Sequence, residues 1–235
     1  MSPTAGLVLL RHGQAAFGSS NYDALSELGA RQCRAVARHW LGLDREWSGV
    51  WRGDLERHRA SLAAVAAPYA QAGRELPAAV VDAGFNEHPG IALMRAHAPT
   101  DRAALDALAA LPAAERQRAW FGHYRRVMAD WLAGRIEAEG VEPWPAVHAR
   151  ILAALERAGD TVRAHGGLGL VVTSGGVASI AAAHALGLPP ERFLELSLRL
   201  GNAARVHLHL GRTGPALLAF NDTAGLDHPD LHTFV

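Results

Sequence analysis

Four consecutive apolar residues, Leu7-Val8-Leu9-Leu10, stop abruptly at Arg11-His12-Gly13. A run of that length fits a buried strand. A strand ending on a cation, an imidazole and a residue free in φ/ψ brings reactive groups to the point where the chain leaves the sheet. Taken alone the tripeptide reads better as a polar turn, so distant parts of the chain have to decide.

Those parts alternate between short apolar runs and longer helical patterns, the signature of α/β layering. Ser26 is a helix N-cap, followed by Cys33, Val36, Ala37, Trp40 and Leu41 at helical spacing. Val50-Trp51 is a weak second strand. Asp54 is a cap for a helix that buries Leu62, Val65 and Tyr69 and stops near Gly73. Ala79-Val80-Val81 is a third strand leading into the loop "DAGFNEHPG". Strand patterns then vanish from about 91 to 165, where Thr100 and Pro112 read as helix starts. Trp120, Tyr124, Val127, Met128 and Trp131 form an apolar stripe there, and a further helix carries Val147, Ile151, Leu152 and Leu155. "GLGLVVTSGG", 167–176, is a β-branched strand ending in two glycines, with a helix from about Val177 to Leu186 behind it. "AARVHLHL" (203–210) and "ALLAF" (216–220) close the chain, with Arg205, His207 and His209 on a solvated face.

This pattern predicts one domain over 1–235: a three-layer α/β/α sandwich on a mostly parallel sheet, with a helical insertion about 91–165. A composition that is 49% hydrophobic supports a proper core. The 23 basic and 23 acidic residues cancel, so no global field attracts nucleic acid or an anionic membrane. A single cysteine, Cys33, rules out an intramolecular disulfide framework and reads as a buried, inert thiol. The start of the chain lacks a basic, then apolar leader, and no apolar run is long enough to span a bilayer. A cytoplasmic protein is the expectation, with a homodimer allowed.

In open α/β sheets ligands bind beyond the carboxyl ends of the strands. Four such ends carry functional groups here: Arg11-His12-Gly13, then Arg57 in the first turn of a helix, then Glu87, then Thr173-Ser174-Gly175-Gly176. A dianionic phosphoryl group would meet two guanidinium forks suited to bidentate contact. It would also meet an imidazole nucleophile, a carboxyl group able to protonate a leaving oxygen, and a glycine-rich helix N-terminus.

The constellation resembles the histidine phosphatase superfamily, which includes the cofactor-dependent phosphoglycerate mutases. "LLRHGQAAFG" is similar to the family's first motif, "GDLERHRAS" to the stretch that supplies the second arginine (with Ser61 where threonine is usual), and "FNEHPG" to the segment holding the catalytic acid. "NAARVHL" and "AFNDTAGLD" resemble its closing strands. The resemblance implies that His12 accepts the phosphoryl group and Glu87 is the general acid. Arg11 and Arg57, with Gln14, Ser174 and Gly175, would hold phosphoryl oxygens. Neighbouring cations disfavour protonated His12 and so keep it nucleophilic. Glu87 needs a raised pKa, for which Phe85 is a desolvating wall. No metal and no cofactor are implied.

Ser174 departs from the pattern, since the family places a second histidine there. A serine donates a hydrogen bond but supplies no cation, and losing one such donor costs on the order of 10²–10³ in rate. His58, His88 and His184 are the neighbours that could compensate, and His58 is the first choice as the missing cation. His39, His97, His123, His148 and His165 read as surface residues. The implied function is metal-independent hydrolysis of a small phosphorylated substrate through a phosphohistidine. The alternatives are a phosphoglycerate-mutase-type phosphotransferase and a phospho-ligand binding protein with little turnover.

Overall fold

The computed structural model describes residues 5–16, 23–97, 106–107, 110–189 and 192–234. The chain separates into two compact units, one formed by 1–87 with 150–235 and the other by 88–149.

The first unit is built on a six-stranded sheet: β1 (Gly6–Arg11), β2 (Gly49–Arg52), β3 (Ala79–Val81), β4 (Leu168–Thr173), β5 (Arg205–Gly211) and β6 (Gly214–Asp222), in spatial order β3-β2-β4-β1-β5-β6. β3, β2, β4 and β1 run parallel, whereas β5 is antiparallel to β1 and β6 to β5. The central pair β1 and β4 is apolar on both faces, as a strand covered on both sides must be. On one face Val8, Leu10, Val50, Leu170 and Val172 pack against Cys33, Val36 and Trp40 of α1 (Glu27–Gly42) and Val65 and Tyr69 of α2 (Glu56–Gln71). On the other, Gly169 lacks a Cβ because Leu7, Trp51 and Val162 close over it. Val162 belongs to the helix α5 (Trp144–His165), and the buried α6 (Gly175–Ala185) runs along β1, β5 and β6. A short α7 (Phe193–Ser197) packs on α6. A three-layer α/β/α arrangement with a mostly parallel sheet results.

The second unit has helices and no strand among its described residues, with α3 (Gly90–His97), α4 (Ala113–Leu132) and the start of α5. Its centre is aromatic. Trp131 meets Trp144 edge-on at 5.4 Å and stacks on His88 at 5.8 Å, while Leu93, Val127, Met128 and Val147 are buried. The start expected at Pro112 is seen; the one at Thr100 lies outside the described residues.

Several expectations need correction. Ser26 does cap α1, accepting from the Gly29 amide, but Asp54 caps nothing: its carboxylate takes the Asn86 amide at 2.6 Å. The acceptor at the start of α2 comes from a distant loop, where Asp23 Oδ2 takes the Glu56 N–H at 2.8 Å. α6 begins at Gly175, so both glycines are inside the helix. Trp120 is exposed and lies flat on Tyr124, and His123 is buried rather than on the surface. Arg205 is not solvated either. It is fully buried, paired with Asp222 at 2.7 Å, and lies over the Trp40 ring. No helix among the described residues is long and apolar enough to cross a membrane.

Candidate active site

The register Arg11 to Thr173 between β1 and β4 fixes where two strand ends open side by side. Beyond that pair the His12 N–H donates to the Thr173 carbonyl at 2.8 Å, and the His12 carbonyl accepts from Ala203 at 3.2 Å. The nucleophile candidate is therefore held by backbone on both sides. Gly13 then passes so close to α1 that a Cβ would fall 2.2 Å from the Gly29 carbonyl oxygen, which only glycine permits. Its N–H donates to Ser61 Oγ at 3.2 Å.

The His12 ring sits 2.7 Å, through Nδ1, from the Gly13 carbonyl. A carbonyl can only accept, so Nδ1 carries the proton and Nε2 the lone pair. Burial, then the charges of Arg11 and Arg57, then His58, drive its pKa far below the ordinary histidine value, against a smaller opposing pull from the Gly13 carbonyl. A neutral imidazole with its outer nitrogen unprotonated is the form that attacks phosphorus.

Arg11 ends β1 with Nη1 donating to the Leu200 carbonyl and, at 3.2 Å, to that of Phe234, while Gly175 packs against its guanidinium. Arg57, in the first turn of α2, is nearly buried and pairs with Asp23 at 2.6 Å. Glu87 Oε2 accepts from the Gly176 N–H at 3.4 Å, at the start of α6. The Gln14 backbone N–H donates to Gln32 Oε1 at 2.8 Å. Ser174 is fully buried, makes no cap bond to α6, and meets His58 Nε2 through its Oγ at 2.7 Å. The structure thus brings His12, Arg11, Arg57, His58, Glu87, Ser174 and Gly175 to one end of the sheet. His184 is exposed on α6, and His88 bonds Tyr124 within the helical unit.

One expectation about charge fails. His58 lies where the sequence suggested, but it is no cation: burial first, then Arg57, push its imidazole down to about 3, against the opposing charges of Glu87 and Asp23.

Sequence reasoning missed the groups that brace these residues. Asp23 ties Arg57 and the start of α2 together, and nothing local to it signals this role. Gln32, fully buried, accepts from Gln14 and donates to the Leu231 carbonyl at 2.9 Å and Thr233 Oγ1 at 2.8 Å. A polar residue on the buried stripe of α1, four before Val36, was the available sign. Arg150 donates to the carbonyls of Gly84, Asn86 and Glu87 at 3.1, 2.9 and 3.3 Å, and Thr173 Oγ1 donates to that of Phe85 at 2.7 Å. Both hold the loop that carries Glu87.

Solved structures share this fold. The phosphate complex of mycobacterial glucosyl-3-phosphoglycerate phosphatase is 24% identical with a TM-score of 0.63, over 94% of this chain and 99% of that one. The alpha-ribazole phosphatase of Shigella flexneri is 21% identical with a TM-score of 0.59, over 93% and 97%. The phosphoglycerate mutase of Bacillus anthracis is 15% identical with a TM-score of 0.62, over 96% of each. No curated protein sequence matches the chain. The profile of the histidine phosphatase superfamily (branch 1) matches residues 105–223, just over half of the sequence, and the chain belongs to that superfamily.

Proposed function

We propose that the protein hydrolyses phosphomonoesters through a phosphohistidine on His12, without a metal ion. The observation that carries this reading is the His12 ring. Its Nδ1 proton is committed to the Gly13 carbonyl at 2.7 Å, and burial beside two guanidinium groups keeps the ring neutral. Nε2 attacks phosphorus and the bond from phosphorus to the ester oxygen breaks, with Glu87 giving that oxygen a proton. Water, deprotonated by the same carboxylate, then attacks phosphorus, and the phosphorus–nitrogen bond breaks to release phosphate. Arg11 and Arg57 balance the charge on the transferring group.

The test is turnover of an aryl and an alkyl phosphate by purified protein and two variants. His12→Ala removes activity on both, and acid quenching of the native enzyme traps an acid-labile phosphoenzyme that the variant lacks. Glu87→Gln slows the alkyl ester more than the aryl one, because a good leaving group needs little protonation. Full activity in His12→Ala overturns the mechanism. Phosphate binding without turnover by the native protein would instead support a binding module.

A further inference from the structure

A second imidazole reaches this site from α2. His58 and Ser174, 116 positions apart in sequence, are both fully buried and bonded to each other at 2.7 Å. The His58 ring lies 5.9 Å from the His12 ring, tilted by 36°. Ser174 directly follows Thr173, the register partner of Arg11, so it sits beside His12 at the paired strand ends. Room for the ring exists only because residue 53 is glycine, where a Cβ would come within 2.3 Å of His58 Nδ1. Packing alone does not account for the pair, since two apolar groups of the same shape would serve the core as well.

The proton can be placed. His58 Nδ1 is buried with no hydrogen-bond partner. Orphaned buried N–H groups are rarer than under-satisfied acceptors, so Nδ1 carries the lone pair and Nε2 the hydrogen. Nε2–H then donates to Ser174 Oγ, and the serine keeps its own hydroxyl hydrogen to donate onward.

We propose that His58 and Ser174 work as one neutral donor chain: His58 Nε2–H holds and polarises the Ser174 hydroxyl, which is aimed at the phosphoryl group carried by His12. This rests on the phosphohistidine reading above. Ser174 is the group that meets the phosphoryl oxygen, and His58 is a positioning residue acting through it. Since the chain adds a donor and no charge, the positive charge that balances the phosphoryl oxygens comes from Arg11 and Arg57.

Four variants test it on one aryl phosphate, each first checked for cooperative thermal unfolding: His58→Ala, His58→Gln, Ser174→Ala and the double alanine. Each single alanine lowers kcat by about 10–100-fold, part of what a lost preorganised donor costs. The double variant is no worse than the weaker single, because both remove one chain. His58→Gln, whose amide N–H can reach Ser174 but cannot titrate, recovers most of the loss and keeps the native pH profile. Losses that multiply in the double variant, a glutamine no better than alanine, or full activity in either single overturn the proposal. If His58→Ala fails to fold, Ser174→Ala and His58→Gln still decide it, since they barely change the packed volume. His12→Ala run alongside separates the two levels: active His12→Ala defeats the phosphohistidine itself, whereas inactive His12→Ala beside fully active chain variants defeats only the donor chain.

Discussion

Arg205→Met probes what holds the site's backbone in register. Arg205 is fully buried at the start of β5, with Nε and Nη2 donating to Asp222 Oδ2 at 3.2 and 2.7 Å and Nη1 to the Ala224 carbonyl at 2.9 Å. The two residues before it bond the Arg11–His12 segment, Ala204 through its carbonyl to the Arg11 N–H and Ala203 through its N–H to the His12 carbonyl. Methionine fills most of the space and removes only the charge and its bonds. Breaking a fully buried pair costs ~3–5 kcal/mol. Asp222 is 26% exposed and keeps the Ala224 amide and His207, so the expected loss is about 2–3 kcal/mol. For a chain of this size that lowers Tm by about 5–10 °C. The loss should depend on pH. Burial opposes ionisation of Asp222, but the Ala224 amide, Arg205 and His207 outweigh it and hold its pKa below the ordinary carboxylate value. A depressed carboxylate contributes stability that is complete above its unfolded pKa, about 4, and lost as pH falls through the folded one. The gap between native and variant protein should therefore be full at pH 7 and narrow below about pH 4. Urea unfolding at both pH values, with equal m-values, measures it. A difference under about 0.5 kcal/mol at pH 7, or one that widens in acid, refutes the reasoning.

Four other outcomes follow from the site. Because the His12 pKa is lowered, the neutral ring persists into acid, and kcat/KM should show no acid limb from His12 near pH 6.5; a limb there that disappears in His12→Ala contradicts this reading. His58, neutral when folded and about 3 in pKa, protonates near its ordinary 6.5 once unfolded, so stability should fall as pH drops from about 6.5 toward 3, and His58→Gln should flatten that slope in urea titrations. Gly13→Ala forces a Cβ to 2.2 Å from backbone that cannot yield, and should cost at least about 10²-fold in kcat by displacing His12, whereas Gly122→Ala, which meets nothing within 4 Å, should be silent. Asp23→Ala removes the partner of Arg57 and the acceptor at the start of α2, and should raise KM several-fold while lowering Tm by a few degrees; an unchanged KM would place the Arg57 guanidinium outside substrate binding.

The sheet was legible because its strands are apolar runs that each end on polar or glycine residues. Val8 and Leu10 alternate with Leu7 and Leu9 onto two covered faces, a pattern that sequence carries in full. The capping of α2 was not legible. Asp54 has the right chemistry one residue before the Leu55 cap position, yet Asn86 takes its carboxylate, and Asp23 serves the helix from 33 positions away. Arg205 misled for a related reason: alternation along β5 assigns it a face but cannot say that Trp40 and Asp222 will close over that face.

The charge of a histidine divides along the same line. His12 takes its tautomer from the carbonyl of the next residue, a contact the strand-to-turn geometry forces locally. Its neighbours in the chain, Arg11 and Gly13, already state most of its chemistry. His58 also follows an arginine, yet the sequence offered it as the cation that Ser174 does not supply. Its state is instead set by what surrounds it in space: Gly53 beneath the ring, Ser174 against Nε2, and no solvent. Removing an imidazole from water penalises its charged form, and at full burial that penalty exceeds the attraction of Glu87 and Asp23. Sequence could therefore bring a second imidazole close to His12, while only packing could determine that it arrives neutral and not as a charge.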